Sequence, residues 1–109
     1  MQEIIGRITQ SQLGYLTVIK SFGAVPSPGM MSFPIEGITM TFDLPAKQRR
    51  VFPMLDDLDG LVAESGGRVY PAKDARMSAE SFDRFFPQWR DFAKHIDPRF
   101  SSSFWRRVT

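Results

Sequence analysis

Apolar residues first recur at helical spacing. Ile4, Ile5 and Ile8 share one side of a helix predicted over residues 2–12, which Gly6 weakens, and Gly14 stands where a C-cap glycine would. The period then changes. Tyr15-Leu16-Thr17-Val18-Ile19-Lys20-Ser21-Phe22 is dense in β-branched and aromatic residues and stops at Gly23, which predicts a strand. Alternation assigns Leu16, Val18, Lys20 and Phe22 to one face, and Tyr15, Thr17, Ile19 and Ser21 to the other. A second strand over 38–44 places Ile38, Met40, Phe42 and Leu44 together, opposite Thr39, Thr41 and Asp43, and Pro45 stops it. Between the strands, Pro26, Pro28, Gly29, Pro34 and Gly37 predict a long loop that also holds Met30, Met31 and Phe33. A loop of that length is either functional or a hairpin excursion covering the edge of the core.

The helical period returns with Val51, Leu55, Leu58 and Val62. This helix is predicted to run to about Ser65, with Pro53 in its first turn and Gly66-Gly67 ending it. Arg68-Val69-Tyr70 then reads as a short third strand broken by Pro71. Ser78 is an N-cap for a helix carrying Phe82, Phe85 and Phe86; a further helix covers Trp89–Ile96, and Phe104-Trp105-Arg106-Arg107 forms a last turn. The order helix, strand, strand, helix, strand, helix predicts an α+β fold with helices on one face of an antiparallel sheet. It matches a ferredoxin-like unit that lacks its first strand. That strand lies mid-sheet in the complete topology, so its neighbours would expose unpaired backbone. Self-association is therefore expected, by strand exchange across a homodimer.

Composition narrows the function classes. The 109 residues form one domain, 1–109, and 42% hydrophobic content argues against disorder. No apolar run approaches the roughly 18–20 residues of a membrane span, and Met1–Arg7 lacks the pattern of a secretory signal. There is no cysteine, hence no disulfide, thiolate metal site or cysteine nucleophile, and a cytoplasmic location is expected. Fourteen basic groups face twelve acidic ones. The basic clusters, Lys47-Gln48-Arg49-Arg50 and Arg106-Arg107, are short and read as solvated helix ends, so no nucleic-acid partner is expected.

The usual catalytic constellations are missing. His95 is the single histidine, which leaves no metal-ligand spacing. Asp56 and Asp57 are helical neighbours diverging by about 100° and cannot form a dyad. Gly66-Gly67 follows a helix and precedes an extended segment, the reverse of a phosphate cradle. Two features remain. Lys20 lies on an apolar strand face, either as an edge residue reaching water or as a charged anchor in an apolar pocket. In Tyr70-Pro71-Ala72-Lys73-Asp74-Ala75-Arg76, Lys73 and Arg76 either pair with Asp74 or Glu80 or project into a ligand site.

That segment, preceded by Glu64-Ser65-Gly66-Gly67-Arg68-Val69 and followed by Ser78-Ala79-Glu80-Ser81-Phe82, resembles the C-terminal region of FAD-linked oxidases of the vanillyl-alcohol oxidase type. Within them it is most similar to the decaprenylphosphoryl-ribose oxidase-like sugar oxidases. Leu16 to Gly23 and Ser32 to Gly37 look like that family's substrate-domain strand and loop, and Asp97-Pro98 and Arg106-Arg107 fit its end. The resemblance covers nearly all of the chain. It implies a flavin-binding domain or subunit as partner, FAD in the complete enzyme and a sugar-type substrate. The reaction implied is hydride transfer from a hydroxyl-bearing sugar carbon to the flavin. Lys73 would be catalytic and lie at the flavin, Tyr70 would contact the flavin, and Leu16, Val18, Lys20 and Phe22 would wall the substrate. Thr39 stands where similar proteins carry a pocket-facing asparagine. The His-Trp-x-Lys pattern of aldonolactone oxidases is absent. With no flavin domain in these residues, the chain alone is expected to be inactive and to bind FAD weakly or not at all. The competing expectation is a non-enzymatic α+β binding or assembly module derived from such a domain.

Overall fold

The two runs rich in β-branched and aromatic residues fold back on each other across the proline-rich loop. In the computed structural model, which describes residues 1–109 apart from the Thr17 side chain, β1 spans Tyr15–Phe22 and β2 spans Gly37–Asp43. They pair antiparallel as a sheet of two strands among the described residues. Helix α1 (Gln2–Ser11) precedes them. After them come α2 (Val51–Glu64), a single 3-10 turn at Pro71–Lys73, α3 (Ala79–Phe85), α4 (Trp89–Ala93) and α5 (Ser103–Val108). The α+β class and the antiparallel pairing are as the sequence predicts.

Three local expectations are corrected. Gly14 is not the cap of α1; Gln12 takes that role at φ 55°. Gly14 is needed instead for close approach, because a Cβ there would lie 2.7 Å from Leu44 Cδ2 and 3.1 Å from Ile8 Cγ2. Residues 68–70 do not form a third strand among the described residues. Their side chains are used elsewhere: Arg68 donates to the Ser32 carbonyl and lies over the Phe86 ring, and Val69 packs on the core. Helix α4 stops at Ala93, and the chain through Ile96 continues in tighter three-residue turns.

The core belongs to the helices. Met77, Phe82, Phe85, Phe86 and Val108 are fully buried, with Val62 and Ala63 of α2 and Phe104 and Trp105 of α5 packed around them. Phe82 is the hub, its ring 5.4 Å from Phe86, 5.6 Å from Phe104, 6.1 Å from Trp105 and 6.2 Å from Trp89. Two serines set the helix starts. Ser78 Oγ accepts from the Ser81 N–H at 3.0 Å, and Ser102 Oγ from the Trp105 N–H at 3.0 Å.

The sheet is left largely open. Val18 is 41% exposed, Ile19 57% and Ile38 54%, so neither face is covered along its length. The whole body reflects this. Its radius of gyration is 14.8 Å, against about 13 Å for a compact domain of this length. Its accessible surface is 7914 Å², against roughly 6,100 Å² expected from its mass.

Surface ion pairs make the fold acid-sensitive. Asp83 is held below the usual carboxylate range by the Trp89 indole N–H and by Arg90, Asp91 by Lys94, and Asp97 by Arg99. Carboxylates depressed by folding contribute stability above their unfolded pKa and lose it as pH falls through the folded value. The melting temperature is expected to fall as pH drops below about 4, more steeply at low salt than at high. Asp83→Asn should flatten part of that slope in a pH series of melting curves.

Candidate functional site

Pro71 fixes the backbone for a tight turn, and Pro71–Lys73 closes as one turn of 3-10 helix. The two charged residues that follow are both consumed by the fold. Asp74 Oδ1 accepts from the N–H groups of Arg76 at 3.1 Å and Met77 at 2.8 Å, and its Oδ2 accepts from the Arg107 guanidinium. Arg76 reaches across to α2, donating to both carboxylate oxygens of Asp59 at 2.8 Å each and to Asp56 at 2.6 Å. Burial opposes the Arg76 charge, but hydrogen bonds and charge from Asp59 and Asp56 outweigh it and raise the guanidinium above its ordinary value. Asp59 is itself only 3% exposed. Of the two pairings open in the sequence, Asp74 thus takes Arg107 and Arg76 takes α2; Glu80 is not used. Lys73, just before these anchors in the chain, is exposed, with no ion pair among the described residues.

Tyr70, at the start of the turn, is half exposed and joins an aromatic row. Its ring stands 5.2 Å from Phe33 in the long loop, and Phe33 stands 6.2 Å from Phe22 at the end of β1, both edge-on. The Arg68 hydrogen bond to Ser32 pins the loop beside the row. Behind it lies an open cleft of about 320 Å³ that includes Gly23, Met30, Pro34, Glu36 and Arg68.

The register decides which strand residues share this end of the sheet. Val18 pairs with Thr41, Lys20 with Thr39 and Phe22 with Gly37, so these side chains project from one face. Between Leu16 and Val18, β1 carries one extra residue, and Leu16 pairs with Phe42. The bulge reverses the alternation. Leu16 therefore does not share a face with Val18, Lys20 and Phe22, as strict period two predicts; Tyr15, opposite Asp43, takes its place. The predicted side of Thr17 lies outside the described residues. Thr39 is half-buried, and Lys20 is exposed without an ion pair among the described residues.

Sequence reasoning missed Phe33, Arg68 and Asp59 as parts of this arrangement. Asp59 had a signal: with Leu55, Leu58 and Val62 it completes the i, i+3, i+4, i+7 stripe of α2, where a carboxylate needs a buried partner. Phe33 gave none, since an aromatic residue in a proline-rich loop has no periodicity to place it.

The assembled features are an aromatic row, two exposed lysines and a threonine on an open strand face. The open cleft itself is lined by loop residues next to the row, among them Gly23, Ser32 and Pro34, together with Arg68. No family model matches the chain. It is 40% identical over 96 residues, 84% of its length, to an uncharacterized protein in mprA 5'region of Streptomyces coelicolor. It is 36% identical over 99 residues, 86% of its length, to the decaprenylphosphoryl-beta-D-ribose oxidase of Mycolicibacterium smegmatis (strain ATCC 700084 / mc(2)155). The chain spans 26% and 21% of the lengths of these two proteins. The resemblance to an oxidase stands. Among the described residues, no helix is long and apolar enough to cross a membrane.

Proposed function

We propose that the chain is the C-terminal substrate-domain part of a FAD-linked oxidoreductase acting on a sugar or sugar-derived alcohol in the cytoplasm, and that it is inactive alone. The observation carrying this reading is the exposed Lys73, without an ion pair among the described residues, in a turn that starts next to Tyr70 of the Tyr70–Phe33–Phe22 row and is followed by the anchored Asp74 and Arg76. Its chemistry suits a planar ring with an oxygen-rich edge. Aromatic edges accept such a ring, and a free ammonium faces its polar rim. The donor set fits only that end of a dinucleotide, because no glycine-rich loop precedes a helix in the sequence to hold phosphates. A flavin-binding domain or subunit must supply the rest.

When bound, FAD would accept a hydride from the substrate carbon. The residues of this chain would prepare that step. Lys73 supplies fixed positive charge where negative charge develops, without needing to reorganise. Phe22, Phe33 and Tyr70 would offer apolar ring edges to the bound ring. Lys20 and Thr39, opposite each other in the ladder, offer donors to sugar hydroxyls across Val18 and Phe22. Thr39 is short, which leaves room for a bulkier polar group on the substrate.

Flavin titration tests the reading. The chain alone should leave FAD fluorescence unchanged, whereas the complete protein should bind it. In the complete protein, Lys73→Met should slow flavin reduction by about 10²-fold while leaving FAD bound. A purified 109-residue chain carrying stoichiometric flavin, or a complete protein indifferent to Lys73, would overturn it.

A further inference from the structure

Gly66-Gly67-Arg68 ends α2 in a way that leaves the chain little freedom. Gly66 adopts φ 68°, the left-handed conformation. Its N–H donates to the Ala63 carbonyl at 3.0 Å, and the Gly67 N–H donates to the Val62 carbonyl at 2.9 Å. Together these bonds are the Schellman closure of a helix C-terminus. Gly67 lies so close to the last turn that a Cβ would sit 3.0 Å from Val62 Cγ1 and 3.1 Å from the Val62 carbonyl oxygen. Each glycine is therefore needed for its own reason, and the chain leaves α2 in one direction. Val62 packs on the core, so that direction is fixed relative to the core.

Arg68 is the first side chain along it. Its guanidinium lies 5.8 Å from the centroid of the buried Phe86 ring and donates to the Ser32 carbonyl, thirty-six residues away. Ser32 stands between two anchored neighbours. Met31 packs on the core, and Phe33 fills the space between the Phe22 and Tyr70 rings. The Ser32 N–H itself closes a turn onto the Gly29 carbonyl at 3.0 Å. Pro26, Pro28 and Pro34 have no N–H to give. Side-chain anchors must do for this loop what a ladder does for a strand.

We propose that Arg68 is a positioning residue of the candidate site. Through the Ser32 carbonyl it holds Phe33 between Phe22 and Tyr70, and Gly66 and Gly67 fix the point from which it reaches. The geometry calls for arginine, because a lysine ammonium offers no planar group to lie over Phe86 while an N–H points at the loop. That the row borders a flavin rests on the proposed function; that Arg68 places Phe33 does not.

Hydrogen exchange read by mass spectrometry on the complete protein tests the placement. Arg68→Met keeps an apolar stem and removes the donor. Exchange in a peptide over residues 29–33 should rise at least about tenfold, the effect of losing one charge-assisted bond. Peptides from α2 and α3 should keep their wild-type rates. An unchanged 29–33 peptide would overturn the proposal. Equal loosening of α2 and α3 would do so as well, since Arg68 would then only support the core. Phe33→Leu leaves the arginine and its acceptor in place and should loosen residues 29–33 less than Arg68→Met; the reverse order counts against the proposal. Bound FAD gives a second readout. Its visible absorbance bands should shift in Arg68→Met as they do in Phe33→Leu, and the double variant should shift them no further. Additive shifts, or bands that neither variant moves, would mean that Arg68 does not act on the site through Phe33. If the complete protein binds no FAD, the flavin reading fails and the exchange rates alone decide on Arg68.

Discussion

Replacing Phe82 by alanine is expected to cost about 3–5 kcal/mol of stability, enough to remove most of the cooperative unfolding transition in a domain of ordinary stability. Phe82 is 1% exposed and contacts four aromatic rings drawn from the end of α3, α4 and α5. No neighbour can close the void, because each is fixed by its own packing against Met77, Phe85 and Val108. Urea denaturation followed by tryptophan fluorescence measures the loss, since Trp89 and Trp105 both touch the site. Phe100→Ala is the matched control. Phe100 is 74% exposed, and its removal should change stability by no more than about 0.5 kcal/mol. Equal effects at the two positions would mean that the core is not where the packing puts it.

The second large effect is at Arg76. Arg76→Met leaves Asp59 buried without its bidentate partner, and breaking one side of such a pair costs about 3–5 kcal/mol. The double variant Arg76→Met with Asp59→Leu removes both charges and should recover most of that loss, because two desolvation penalties disappear with the pair. A double-mutant cycle in urea measures the coupling. If the single and double variants lose the same stability, the pair is only a surface contact. The single variant should also loosen the Tyr70–Arg76 segment, since Arg76 ties it to α2 and Asp74–Arg107 ties it to α5. Lys73 would then lose the rigid turn that presents it.

These two residues show how far the sequence could be read. Phe82, Phe85 and Phe86 follow a serine N-cap at helical spacing, so their burial was legible from period and composition alone. Arg76 was not. Its segment offered a partner close in sequence, Glu80, and the partner chosen was Asp59, seventeen residues away on another helix. Local charge spacing cannot rank such options, because the winner is set by which carboxylate is already desolvated when the helices pack. The candidate site divides in the same way. Lys20, Phe22, Tyr70 and Lys73 were recognisable from residue type and motif, but Leu16 was assigned to the wrong face. A single extra residue in β1 inverts every later position, and period-two counting has no means of seeing it.

Beside the similarity to an oxidase, which rests on motifs along the chain, the sequence by itself determined the α+β class, the two strands, the long loop, the helix start at Ser78 and the place of Pro53 in the first turn of α2. All of these rest on local preferences, which act within a few residues and leave a periodic trace. Only the tertiary structure decided that residues 68–70 give up the sheet and Arg68 joins the long loop. It also decided that Phe33 bridges Phe22 to Tyr70, and that Asp74 and Arg76 become anchors while Lys73 stays free. Those outcomes depend on competition among distant partners for burial and charge, which no window along the chain contains.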